Sequence, residues 1–173
     1  MTEGDYKIQR YEIPAVDGNG ILPGYIFYNS NIEPPYKPII YFPGSNAIHL
    51  TNTEIMLKNN IKRFNYLMEE GYAIVHPIYL STYEKADDLK SDYPEKTKKY
   101  KEHIITWGKE FKKTLDYIES RKDLNDNISF YGVSWGGYMA NILLAIDDRV
   151  KAAVLNVAGL CFQETYKEVE AYV

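Results

Sequence analysis

Cysteine occurs once in the 173 residues, as Cys161. A lone thiol cannot staple a fold or build a zinc cage, and it suits a reducing compartment, where it reads as a small core residue. Basic excess is missing too. Twenty Lys and Arg face 24 Asp and Glu, for a formal net charge of −4, which argues against a nucleic-acid-binding footprint. No apolar run approaches the roughly 20 residues that a membrane span needs. The opening MTEGDYKIQR lacks the apolar middle of a secretory signal. Repeats, low-complexity tracts and Gly/Ser/Pro linkers are absent. No two histidines stand four apart and no carboxylates cluster, so neither a metal nor a cofactor is expected. What is present is 45% hydrophobic and 25% charged, the balance of one globular domain over residues 1–173. The expected setting is cytoplasmic, with neither nucleic acid nor membrane as partner. Seventeen tyrosines stand out and nothing in the pattern accounts for them.

Along the chain, short β-like runs come first and helical periods follow. Tyr6 to Ile13 and Leu22 to Tyr28 flank the turn cluster VDGNG and read as an antiparallel pair. Ile39 to Phe42 is a short buried strand. Thr51 with Glu54 fits a capping box, Leu57, Ile61, Phe64 and Met68 follow at helical spacing, and Gly71 supplies a left-handed stop. Tyr72 to Tyr79 is the next strand. The polar segment from Ser81 to Lys99 has no period and reads either as a solvated connection or as a substrate wall. Tyr100, Ile104, Trp107, Phe111, Leu115 and Ile118 form one stripe of a long helix. Ile128 to Val133 is a strand, Tyr138 to Ile146 a helix, and Ala152 to Val157 a last strand. This alternation predicts a three-layer α/β/α domain whose sheet is mostly parallel with an antiparallel amino-terminal edge. In such sheets chemistry sits at the carboxyl ends of the strands.

One of those ends carries Gly132-Val133-Ser134-Trp135-Gly136, followed by Gly137. This G-x-S-x-G run joins a strand to a helix, and its logic is steric. A serine on so sharp a turn takes strained backbone angles that lift its Oγ above the sheet. Gly132 and Gly136 avoid collisions across the turn, and Gly137 lets the helix pack close to the strand. The Trp135 N–H then opens the helix, facing any oxyanion formed at Ser134. A second donor would come from a loop after an earlier strand, where Pro43-Gly44-Ser45-Asn46 stands. Gly44 gives close backbone approach, and Ser45 or Asn46 offers the N–H. The plainer alternatives are an inert serine on a glycine-rich turn and a simple PGSN turn.

Together these runs resemble the α/β-hydrolase family, in its prolyl oligopeptidase, dienelactone hydrolase and acetyl xylan esterase branch. YKPIIYFPGSNAI, YKEHIITWGKEFKKTLDYIESRKDL and ISFYGVSWGGYMA are most similar to hydrolase domains appended to some bacterial serine/threonine kinases. The resemblance spans about Tyr11 to Gly159. It implies Ser134 as nucleophile, the backbone N–H groups of Trp135 and Ser45 as oxyanion donors, and a small ester or acyl substrate. The family usually has His-Gly where Pro43-Gly44 stands here.

A serine needs a histidine to take its proton and an acid to orient that histidine, in the chain order Ser, Asp or Glu, His. No histidine follows Ser134. The expectation is therefore an incomplete hydrolase domain that stops after the strand near 152–157, with its acid and base supplied from elsewhere. Of the three histidines, His76 is the first substitute candidate, at the end of its strand. His49 follows the oxyanion-type loop, and His103 reads as a helix-flank residue. Asn46, His76, Tyr79 and Tyr83 are candidate pocket residues. Asp147, Asp148 and Glu164 to Glu170 read as surface charges. The alternative to an enzyme is an inactive binding or interaction module, forming a homo-oligomer or taking a partner chain at the exposed sheet edge.

Overall fold

The computed structural model describes residues 5–15 and 20–159. Its strands are β1 (Tyr6–Pro14), β2 (Ile21–Asn29), β3 (Lys37–Phe42), β4 (Tyr72–Pro77), β5 (Ser129–Val133) and β6 (Ala152–Asn156). Its helices are α1 (Glu54–Met68), α2 (Lys98–Ser120) and α3 (Trp135–Leu143), with 3₁₀ turns at Ser45–His49 and Tyr83–Lys85. The six strands form one sheet in the order β1-β2-β4-β3-β5-β6. β1 and β2 pair antiparallel, as do β2 and β4, while β4, β3, β5 and β6 run parallel. The sequence therefore yields the expected layered α/β domain with an antiparallel edge.

Strand alternation divides the core between the two sheet faces. Ile40, Phe42, Ala73 and Val75 pack with α2 and α3 through Trp107, Phe111, Leu115, Trp135 and Met139. Their neighbours Ile39, Tyr41 and Ile74 pack instead with Met56, Phe64 and Met68 of α1. Each parallel crossover thus puts its helix over a face that the strands have already made apolar. No helix among the described residues is long and apolar enough to cross a membrane.

Several local expectations change. α1 begins at Glu54 with Thr53 as its cap, so Thr51 and Glu54 form no capping box; the Asn52 side chain takes the Glu54 N–H at 3.2 Å. The face of α1 is also rotated. Met56 and Asn60 are buried beside Phe64 and Met68, whereas Leu57 and Ile61 are only partly covered. α3 starts at Trp135, as the elbow reading has it, three residues before the Tyr138 of the periodicity reading, and ends at Leu143 rather than Ile146. Asp147 is no surface charge: its side chain is 6% exposed and receives three bonds from Arg149, two from the guanidinium at 2.9 and 2.8 Å and one from the backbone N–H at 3.2 Å. Those bonds hold its carboxyl below the usual range. Cys161 and the glutamates from Glu164 to Glu170 lie outside the described residues.

The tyrosines acquire a partial account. Tyr11 stacks on Tyr117 with ring centroids 4.4 Å apart, and its ring lies over Gly24, the residue opposite it in the sheet. Tyr28 meets Tyr36 at 5.1 Å, Tyr41 meets Phe64 at 5.0 Å, and the Tyr100 and Tyr138 hydroxyls lie 2.7 Å apart. Tyr36, Tyr41, Tyr100 and Tyr138 serve as core aromatics whose hydroxyl reaches a partner, whereas the buried Tyr11 and Tyr79 hydroxyls have none among the described residues.

Candidate active site at the β5–α3 elbow

Ser134 has φ 51° and ψ −108°, a region costly for any residue with a Cβ. Such strain persists only where the surroundings over-determine it, and they do. The Ser134 N–H donates to the Asn156 carbonyl of β6 at 2.8 Å, and its own carbonyl accepts from the Tyr138 N–H at 3.0 Å. The Gly136 N–H donates to the Pro43 carbonyl at 3.1 Å, tying the elbow to the end of β3. Close packing then dictates the glycines. A Cβ on Gly132 would lie 2.4 Å from the Gly136 carbonyl oxygen, and one on Gly136 would lie 2.2 Å from the Phe42 carbonyl oxygen. Gly137 faces the chain after β6 rather than β5, since a Cβ there would come 2.9 Å from the Ala158 Cβ.

The loop after β3 lies directly over Ser134. A Cβ on Gly44 would sit 3.5 Å from the Ser134 Cβ, an ordinary contact, so this position needs no glycine for space. Gly44 also has unexceptional angles, φ −75° and ψ 170°. Ser45 then opens a 3₁₀ turn, as Trp135 opens α3. First-turn N–H groups have no partner within their own helix. The Gly136 N–H is already taken by Pro43, whereas Trp135, Ser45 and Asn46 each lie in the first turn of their helix. The Trp135 indole is buried, in edge contact with Phe42 and with Trp107 at 4.9 and 5.0 Å.

Ser134 and the 43–46 loop border a cleft of ≈ 410 Å³, which Tyr41, Asn59, Arg63 and Tyr83 also line. Asn46 lines it as well. Tyr79 does not: it is fully buried on the other sheet face, stacked on Phe42 at 4.2 Å. His76 does not line it either. It is fully buried behind the rings of Tyr41 and Tyr83, at 4.9 and 5.7 Å. The Asn60 amide lies 2.8 Å from its Nδ1. Since that NH₂ can only donate, the His76 proton sits on Nε2, which has no partner. Burial, aided by the Arg63 charge, drives the His76 pKa down to about 3. A group held neutral in the fold, with an ordinary value near 6.5, contributes stability that is complete above about pH 6.5 and lost as pH falls toward 3. We predict that urea unfolding of the wild type loses stability at up to ~1.4 kcal/mol per pH unit through this window. A His76→Leu chain should lack that contribution, leaving a shallower slope.

The segment after β4 is a wall fastened to α2, with polar clamps. Leu80 donates to Glu110 at 2.9 Å and accepts from the Trp107 indole at 2.8 Å; Lys85 also pairs with Glu110. His103 is buried rather than flanking. Its ring nitrogens meet the Lys99 carbonyl at 2.8 Å and the Asp87 carboxylate at 2.7 Å. Although burial alone would raise the Asp87 pKa, the Leu89 N–H and His103 hold it low. This fastening places Tyr83 in the large cleft, and Asp92 and Tyr93 beside a smaller ≈ 90 Å³ cleft on the other flank of Ser134. His49 is exposed at the end of its 3₁₀ turn. None of the three histidines lines either cleft. No group of three or more His, Cys, Asp or Glu among the described residues is arranged to hold a metal.

Sheet order, crossover positions and the strained strand-to-helix turn together define an α/β-hydrolase fold. Solved structures bear this out. Oligopeptidase B from Trypanosoma brucei, with covalently bound antipain, superposes with a TM-score of 0.63 at 17% identity over 88% of this chain. The α/β hydrolase GrgF from a Penicillium species gives 0.59 at 17% over 85%, and a hyperthermophilic esterase from the archaeon Pyrobaculum calidifontis gives 0.58 at 15% over 86%. This chain spans 20%, 44% and 43% of those three chains. No family model matches the sequence, and no curated protein does.

Proposed function

We propose that this chain carries the nucleophile and oxyanion site of a serine hydrolase for ester or related acyl substrates. The observation that carries the reading is Ser134 at φ 51° and ψ −108°, pinned between β6 and the end of β3 at the rim of a ≈ 410 Å³ cleft. The Ser134 Oγ attacks the acyl carbonyl carbon, and its proton passes to a base. The carbonyl oxygen, now anionic, takes hydrogen bonds from the Trp135 and Ser45 N–H groups. The carbon–oxygen bond to the leaving group breaks, the alcohol departs with the proton, and water then frees the acyl group by the reverse sequence. The Pro43 variation on the usual His-Gly leaves the Ser45 amide in place for this role, since it alters the residue before Gly44.

The proposal takes its base, a histidine with an acid to orient it, from another source, since none of His49, His76 and His103 lines either cleft. The protein in its full length is expected to hydrolyse short p-nitrophenyl esters, with Ser134→Ala reducing turnover to background. Undiminished hydrolysis by that variant would sink the reading.

The histidine placement also favours a second reading, a binding module that keeps the fold without turnover. Here β6 matters. It is exposed, with Val154 54% and Leu155 41% accessible, and its outer edge carries no strand among the described residues. Such an edge accepts another strand, from a second copy or a partner chain. A homodimer in sedimentation analysis that a Val154→Lys substitution dissociates, together with an inert Ser134, would support it.

A further inference from the structure

The cleft in front of Ser134 carries a single charge. Of its lining residues, only Arg63 is ionisable at neutral pH, and no Asp or Glu lines it. The polar remainder is neutral, including Asn46, Asn59, Asn60 and the hydroxyls of Tyr41 and Tyr83. Arg63 also differs from its counterparts. The chain has four arginines. Arg10 pairs with Glu12, Arg121 with Asp123, and Arg149 with Asp147, Asp116 and Glu119. Arg63 has no carboxylate partner among the described residues. Its Nη1 donates to the Tyr41 hydroxyl, and its guanidinium lies 5.7 Å from the centre of that ring. One hydrogen bond to a neutral phenol leaves most of a guanidinium's five donors unused. In a chain of net charge −4, an unneutralised cation facing a cleft is a local exception.

The geometry points to Arg63 as the anchor for a carboxylate at the far end of the substrate, making this a site for half-esters of dicarboxylic acids or similarly anionic acyl compounds. This rests on the hydrolase reading of Ser134. The spacing suits such a molecule. Tyr41 stands opposite Tyr131 in the β3–β5 ladder, and Ser134 follows three residues further on. At ~3.3 Å per residue, the backbone of Tyr41, whose hydroxyl Arg63 bonds, and that of Ser134 are about 10 Å apart along the strand direction. A short methylene chain bridges that distance, passing Met56, Leu50 and Val133 on the apolar part of the wall. The planar fork of arginine matches a carboxylate with two parallel bonds, which a neutral ester tail does not offer.

The test separates binding from chemistry. Adipic acid monoanilide, whose anilide bond resists attack, and the uncharged hexananilide are titrated into the isotope-labelled chain and followed by amide chemical shifts. The acid should bind about tenfold more tightly than the neutral compound, as a charge-assisted pair implies. Arg63→Gln should bring the two within about twofold, and Arg63→Lys should retain part of the preference, with unfolding midpoints checking that each variant is folded. Tyr41→Phe, which removes the phenol but leaves the cation, should keep the preference. Equal affinity of the wild type for the two anilides overturns the proposal without reference to any variant, and so does a preference that survives Arg63→Gln. Should Ser134 prove inert toward acylating probes while the anionic preference holds, the hydrolase reading falls and the Arg63 site stands. An acylated Ser134 without anionic preference removes the Arg63 site and leaves the hydrolase reading intact.

Discussion

Gly136→Ala should destabilise the domain by about 3 kcal/mol or more, since added atoms in a tightly packed place cost 1–3 kcal/mol even where neighbours can yield. Here they cannot. The new methyl carbon would stand 2.2 Å from the Phe42 carbonyl oxygen and 2.7 Å from its carbon, both fixed in β3 at the centre of the sheet. Relief requires α3 to lift from β3, which stretches the bond from the Gly136 N–H to the Pro43 carbonyl. The loop over Ser134 would move with it. Gly44→Ala is the control, because its methyl would meet the Ser134 Cβ and the Val133 carbonyl at 3.5 Å. Urea unfolding of the two variants should therefore differ widely, with Gly44→Ala close to wild type. Similar midpoints would show that α3 can lift from β3 at little cost.

Trp107→Ala should cost about 4 kcal/mol, in the range measured for large aromatic truncations in cores. Trp107 is fully buried, packs edge-on against Trp135 at 5.0 Å, and donates its indole N–H to the Leu80 carbonyl at 2.8 Å. It therefore joins α2 to the first residue of α3 and to the wall after β4. Its removal leaves a cavity and an unpaired carbonyl at once. Amide exchange should quicken at Leu80, Ser81 and Trp135 beyond what global destabilisation predicts. A loss below about 1 kcal/mol would mean that the wall is held by other contacts.

The legible part of this molecule was the part written in backbone constraints. Gly132, Ser134 and Gly136 announce the elbow because only glycine fits where a carbonyl lies 2.2 to 2.4 Å from a would-be Cβ. The strands were legible from short apolar runs between turn residues. The start of α3 at Trp135 was legible from the elbow but not from the apolar period, which began at Tyr138 because Gly136 and Gly137 are weak helix formers whose preference tertiary packing outweighs. The rotated face of α1 was hidden for a related reason. Asn60 is buried because it serves His76, and an apolar stripe passes over a polar residue on the core side. The wall from Leu80 to Asp87 stayed one of two readings of its segment, because its fastenings are polar. His103, Trp107, Glu110 and Thr114 recur at helical spacing on the buried face of α2, a signal that includes two ionisable residues and so escapes a search for hydrophobes alone. The direction of Arg63 toward the cleft depends on Tyr41, 22 positions away, and no local pattern could supply it.

The central claim is that Ser134 is an activated nucleophile on a strained turn. A fluorophosphonate probe applied to the full-length protein, followed by peptide mass spectrometry, tests it most directly. The expected result is one adduct, on the Ser134 peptide, absent in Ser134→Ala and slowed when the oxyanion loop is displaced by substituting Ser45 with proline, which removes its N–H. An unmodified Ser134 under conditions that label other serine hydrolases, or labelling that persists in Ser134→Ala, would contradict it.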